Sequence, residues 1–521
     1  MIGAIVPVQR ISGILLHPTS LPGPFGIGDI GPEAERFLDW MVAAGQQLWQ
    51  VLPLAPTGYG DSPYAPFSTF AGNELLISPT LLADEGLLTQ AELDAAGLPQ
   101  TRRVDYGAVI PAKRSLIRMA ADRLVRSGYE SGAFAEFRVD NAFWLDDYAL
   151  FMDIKEEYDA RARAESVADS SWNKFWPEPL ARRERQALDQ RREQNESSLA
   201  RLAAVQFMFS RQWAALRRAA ERSGIRIMGD LPIFVAMDSA DAWARPELFN
   251  LDAVGNPIEI AGVPPDYFSA DGQLWGNPLY AWERHRAEHF AWWIERVRAS
   301  LALYDLVRID HFRGLCANWA VPAGEATARH GHWKPAPGEE LLSALAAALG
   351  QELPIVAEDL GFITADVSEL RERFGLPGMR ILQFGFDSRE SGKGLDPANP
   401  FLPHNYTPDC VAYTGTHDND TLAGWLSQAR REELDFILEY LGYTPGNMVW
   451  ALIREAMKSA AGMVILPMQD VLGLGSDARM NQPGTSGGNW AWRADPASFD
   501  PELARRLRSL SSLYGRDHQG A

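Results

Sequence analysis

The stretches VRIDHFRG (307–314), VAEDLG (356–361) and TGTHDND (414–420) decide how this chain is read. Each sets a carboxylate just past an apolar, β-branched run, the pattern of a buried parallel strand that stops on an acid. One such ending has no special meaning. Three of them, on strands far apart in sequence, converge at one place if the strands close into an α/β barrel, which keeps its chemistry at the mouth where its strands end.

Working outward, further apolar runs complete a series of eight predicted strands: 12–17, 47–54, 226–235, 306–311, 354–358, 379–384, 410–416 and 463–468. Helical patterns separate most of them, at 32–44, 282–302, 339–350, 364–374 and 447–460. Pro32 stands at a first helical turn and Gly45 closes that helix. Strands alternating with helices give a parallel sheet. The expected fold is α/β, a (β/α)8 TIM barrel with large, mainly helical insertions.

Residues 1–59 form the first part of the barrel, 60–200 one or more inserted helical subdomains, and 201–521 the remainder. The 60–200 stretch is far too long for a plain connection. Within it, 155–168 and 181–201 carry dense mixed charge and read as solvated helices. A second insertion, at about 238–281, is rich in Pro, Gly and aromatics, as in GVPPDYFSADGQLWGNP (262–278), and has the composition of a lid.

A formal net charge of −19 argues against nucleic acid or an anionic membrane as partner and suits a small neutral or cationic ligand. No run of 18 uncharged apolar residues and no basic, apolar leader occurs, so the cytoplasm is the expected location. The two cysteines, Cys316 and Cys410, form no metal-spaced motif or disulfide framework. Seventeen tryptophans are rich for this length; their faces can stack on sugars or fill a core.

Strand parity puts Arg308 and Asp310 on one face and Val307 and Ile309 on the other. With the apolar pair against the helices, the charged pair faces the lumen. There the arginine can hold Asp310 ionised, as a nucleophile requires, or simply form a structural ion pair. Parity does not choose between Glu358 and Asp359, since loop geometry begins there. His417 can donate to a substrate hydroxyl, while Asp418 beside it also fits a loop cap. Breaking a glycosidic bond requires such carboxylates, one to attack or stabilise the sugar carbon and one to protonate the leaving oxygen.

Other motifs carry less. FGIGDIG (25–31) has the glycine spacing of a dinucleotide fingerprint, but a loop parts it from the strand and no acid stands near residue 50. His330 and His332 lack an obvious third metal ligand, and His17 stands alone on the first strand. No P-loop is present.

In this order, VRIDHFRG, VAEDLG and TGTHDND resemble the three catalytic motifs of the 4-α-glucanotransferases called amylomaltases or disproportionating enzymes. The resemblance extends through LLHPTSLPGPFGIGD (15–29), GYGDSPY (58–64), GDLPIFVA (229–236), GVPPDYFS (262–269), LWGNP (274–278) and RMNQPGT (479–485), covering about 12–495. It implies Asp310 as nucleophile, Glu358 as acid/base and Asp418 as a third carboxylate steadying the distorted sugar. By the same resemblance, Arg308, His311 and His417 flank the reacting glucose, with Asp230 and Asn481 nearby. Asp61, Ser62 and Tyr64 shape the donor pocket, and Tyr267, Phe268 and Trp275 belong to a mobile loop on the acceptor side. Ala65 departs from the family, where glutamine often follows SPY, so one polar sugar contact is in question.

The implied reaction is retaining, through a covalent glycosyl-enzyme. Its donor is a maltodextrin or other α-glucan, and its acceptor is glucose or a maltodextrin. No cofactor and no metal is expected. A retaining α-glucan hydrolase would use the same carboxylates, with the lid and acceptor sites making the difference. A non-catalytic glucan-binding protein would not need three strand-end acids.

Overall fold

The structure is a computed structural model that describes residues 10–98, 101–127, 132–265, 270–389, 395–485 and 487–517. Eight parallel strands form its centre: β1 (Ile11–Leu15), β2 (Leu48–Gln50), β3 (Arg226–Pro232), β4 (Leu306–Asp310), β5 (Ile355–Ala357), β6 (Gly378–Ile381), β7 (Cys410–Tyr413) and β8 (Met463–Pro467). They lie in chain order, and β8 pairs with β1, Ile11 beside Met463. The strands are almost wholly buried because helices cover the outside and side chains fill the lumen. Gly229 shows how tight the outer packing is: a Cβ there would stand 2.1 Å from the ring of Tyr304.

One seam differs. Between β5 and β6 no ladder forms; a backbone bond from Ala357 to Pro377 (2.9 Å) is supplemented by Asp359, whose Oδ1 accepts from the Met379 N–H at 2.7 Å. Arg371 and Arg380 approach the other oxygen of Asp359 at 3.3 and 3.6 Å. A side chain at 378 would collide with this carboxylate, 2.4 Å from a Cβ, so glycine stands there. Asp359 thus closes the barrel. Replacing it (Asp359→Ala) is expected to cost about 3–5 kcal/mol in urea unfolding, because buried Arg371 loses its one buried acid partner and keeps only the exposed Glu372 and Asp409. A loss below about 1 kcal/mol, the scale of a surface pair, would remove this role.

Two expected elements differ. The run 379–384 is not one strand: β6 stops at Ile381 and Leu382–Phe386 turns helical, which buries Gln383 and lets its Nε2 donate to the Asp420 carbonyl at 2.9 Å. The expected helix 282–302 is two, Trp282–Ala287 and Ala291–Leu303, with His289 and Phe290 at φ 53° and 57° between them. The break allows Trp282 to stack on Trp293, centroids 6.2 Å apart.

Residues 60–200 are largely helical, and the helix Glu196–Arg222 runs on past residue 200 to β3. The charged 155–168 stretch is only partly solvated: Lys155 is buried and bonds Asp238 at 2.6 Å, tying the helix Ala142–Glu165 to the second insertion. The FGIGDIG loop also packs, with Asp29 pairing with buried Lys113 at 2.9 Å.

The 238–281 insertion contributes half of a second sheet. Strands Glu259–Val263 and Gln273–Pro278 join Ala317–Pro322 and His332–Pro335, from beyond β4, in an antiparallel four-stranded layer. Among the described residues no helix is long and apolar enough to cross a membrane, and no group of three or more His, Cys, Asp or Glu side chains is arranged to hold a metal ion.

Candidate active site

Asp230 and Arg308 are register partners on β3 and β4, so their side chains share the lumen face. Arg308 is 4% exposed; its Nη1 donates to Asp230 Oδ2 at 2.5 Å and its Nη2 to Asp310 Oδ1 at 2.7 Å. The guanidinium therefore bridges one fully covered carboxylate and one that reaches the mouth. Tyr64 donates to the same Asp230 oxygen at 2.6 Å. Burial, with the negative charge of Asp310 adding to it, pushes the Asp230 carboxyl up, while Arg308 opposes the shift.

Glu358 follows β5. One oxygen accepts from the His311 N–H at 2.7 Å and the other from the Leu360 N–H at 2.9 Å, so both are pinned by backbone. His311 reaches this position through a left-handed conformation at φ 54°, strain that a non-glycine residue accepts only when its surroundings enforce it. Burial raises the Glu358 carboxyl to about 8; Arg308 opposes this and Asp310 adds to it. Burial thus favours the protonated form of Glu358, while the neighbouring Asp310 is paired with a cation. Two carboxyl groups in opposed environments are the requirement for an acid and a nucleophile in one site.

Glu358 and Asp359, equivalent by strand parity, take different surroundings here. Glu358 turns to the mouth; Asp359 turns to the β5–β6 seam.

Asp418 follows β7. Its Oδ1 accepts from Asn481 Nδ2 at 2.6 Å and stands 3.4 Å from His417 Nε2, and its carbonyl accepts from Arg479 at 2.6 Å. His417 stacks on Tyr64, centroids 5.0 Å apart and 11° between planes, with Trp490 at 5.9 Å. Burial, with His417 as a second cause, lowers His17, two residues past β1, to about 3, so it stays neutral beneath this group. His311 is likewise lowered by burial, to about 4.

The 58–64 loop joins the site through Tyr64, whose N–H donates to Ser62 Oγ at 3.2 Å. Asp61, at φ 57°, faces a small cavity bounded by His17, Tyr106 and Trp490, and burial raises its carboxyl. Trp275 meets the ring of His311 edge-on at 4.8 Å. Tyr267 and Phe268 lie outside the described residues. The structure therefore brings together Asp230, Arg308, Asp310, His311, Glu358, Asp418, His417, Asn481, Tyr64 and Trp275, with Ser62 and Asp61 just behind. Arg479, Trp490 and His17 were not singled out as site residues. Arg479 stands in the RMNQPGT motif, two residues from Asn481, and that was its signal; Trp490 had none.

Comparison with known proteins agrees. The family model described as 4-alpha-glucanotransferase matches residues 16–498. This chain belongs to the 4-alpha-glucanotransferase family. The 4-alpha-glucanotransferase of Thermus thermophilus is 49% identical, with 98% of this chain and 99% of that protein covered. That of Synechocystis sp. is 48% identical, with 98% of each covered. Among solved structures, the amylomaltase from Streptococcus agalactiae in complex with acarbose superposes with a TM-score of 0.92 at 37% identity, over 98% of this chain and all of that one. As a member of the 4-alpha-glucanotransferase family, the chain is a glycosyl-transferring enzyme built on the amylomaltase fold.

Proposed function

We propose that this 4-alpha-glucanotransferase moves segments of 1,4-α-glucan to the 4-hydroxyl of glucose or a maltodextrin by double displacement, with Asp310 as nucleophile and Glu358 as acid/base. The observation that carries this reading is the opposed surroundings of the two carboxyls: Asp310 Oδ1 lies 2.7 Å from a buried guanidinium, and burial pushes the Glu358 carboxyl up to about 8. Glu358 gives its proton to the glycosidic oxygen as Asp310 bonds the sugar carbon, and the shortened glucan departs. Glu358, now a carboxylate, takes the proton of the incoming 4-hydroxyl as that oxygen displaces Asp310. Two displacements at the same carbon retain its configuration.

Asp418, oriented by Asn481 and His417, faces the same sugar and supports charge as it develops there. Tyr64 and His417 offer a stacked edge to the donor, and Trp275 offers a face toward the acceptor. The acarbose held by the Streptococcus agalactiae amylomaltase supports a maltodextrin-like donor. No step calls for a metal or cofactor.

Maltotriose tests the reaction. The expected product is a ladder of longer maltodextrins plus glucose, with total reducing ends nearly constant, because every cleavage is matched by a new bond. Reducing ends that rise in step with maltotriose loss would identify a hydrolase.

A further inference from the structure

In this double displacement the leaving sugar departs, and the acceptor arrives, on the side of the acid/base, because that carboxyl must touch the oxygen joining the two sugars. The loop after β5 therefore borders the acceptor side. Its backbone is rigidly referenced to the chemistry: the Leu360 N–H holds one Glu358 oxygen, and the Phe312 N–H bonds the Glu358 carbonyl at 3.1 Å. Gly361, at φ +79°, then turns the chain and places Phe362 at the surface. Phe362 is 69% exposed, the second most exposed of the large apolar side chains among the described residues.

An exposed phenylalanine alone would mean little. This one is held. Arg313, 7% exposed and two residues beyond His311, donates from Nη1 to the Phe362 carbonyl at 2.7 Å and to Thr364 Oγ1 at 3.1 Å. Its Cζ stands 5.4 Å from the Phe362 ring centre and 3.8 Å from that of Trp333. Trp333 is backed in turn by Trp319, edge-on at 5.2 Å, its register partner in the second sheet. The second sheet, the turn after β4 and the loop after β5 are thus joined in one stack, Trp333–Arg313–Phe362, whose last ring is open to solvent.

We propose that Phe362 is an acceptor-side platform for the second or a later sugar of a maltodextrin acceptor, held in place by Arg313 and Trp333. The inference rests on the acid/base role assigned to Glu358. Phe362 has no polar handle, so it suits a neutral ring that presents C–H bonds and carries its hydroxyls elsewhere, as a glucose unit does. It stands four positions along the chain from Glu358, a backbone reach of at most about 14 Å. It therefore stays close to the acid/base. A platform there favours long acceptors over glucose and leaves the bond-making groups alone.

The test uses the full-length enzyme with α-maltosyl fluoride as donor, because a fluoride leaving group occupies no acceptor subsite. Glucose and maltotetraose are compared as acceptors. Phe362→Ala, at an exposed position, is expected to raise KM for maltotetraose about tenfold, the effect of losing one stacked ring, with KM for glucose unmoved. Phe362→Tyr keeps the ring and is expected to keep the maltotetraose KM. Unchanged KM for both acceptors in Phe362→Ala would overturn the platform. An equal rise for both would overturn it too, since that is the signature of a disturbed Glu358. A wild-type enzyme that only hydrolyses maltosyl fluoride would overturn the transferase reading itself, and the platform with it.

Discussion

Asp310→Asn is expected to reduce maltotriose disproportionation by roughly 10⁴- to 10⁶-fold, the scale of losing a nucleophile from a preorganised site. The amide is nearly the same size and still offers an oxygen to Arg308 Nη2, so the cradle of Arg308, Asp230 and Tyr64 stays assembled. What disappears is the anionic oxygen that bonds the sugar carbon. Transfer and hydrolysis fall together, because both pass through the same covalent intermediate. The measurement is glucose release and ladder formation from maltotriose, with a thermal melt confirming the fold. Activity within tenfold of the wild type would assign the nucleophile elsewhere.

Glu358→Gln is expected to lower kcat/KM for maltotriose by about 10²- to 10⁴-fold, the contribution of one positioned proton donor. It has a pH signature that a structural role would lack. Burial holds the Glu358 carboxyl near 8, so its proton is present below that value and lost as pH rises through it. Wild-type kcat/KM should therefore fall on the alkaline side of about 8. In Glu358→Gln that limb should vanish, leaving a low, flat profile. α-Maltosyl fluoride separates the steps, since fluoride leaves without a proton and the first displacement should survive in the variant. An alkaline limb of the same midpoint in the variant would place the titrating group on another residue.

Much of this site was legible in the chain because it lies at the ends of locally encoded elements. Strand parity predicts that Arg308 and Asp310 share a face, and the structure places both toward the barrel lumen and mouth. Parity says nothing past a strand end, which is why Glu358 and Asp359 were equivalent by physics and were parted only by family resemblance. The split of 282–302 and the helical turn at Leu382–Phe386 were illegible for a related reason. Both depend on what Trp282, Trp293 and Gln383 meet across the fold, not on their neighbours in sequence.

Sequence by itself determined the eight βα units, the three acids at strand ends and the large helical insertion, since alternation, period and punctuation are properties of adjacent residues. Only tertiary structure decided that Asp359 closes the β5–β6 seam, that Asp230 and Arg308 meet across β3 and β4, and that strands 259–263 and 273–278 are half of a sheet completed by 317–322 and 332–335. It also decided that Arg313 and Phe362, 49 residues apart, share one stack. Such contacts join residues far apart in sequence, and no local preference encodes them. They arise when the closed barrel brings its loops to one rim, where the partners of each side chain are set by packing.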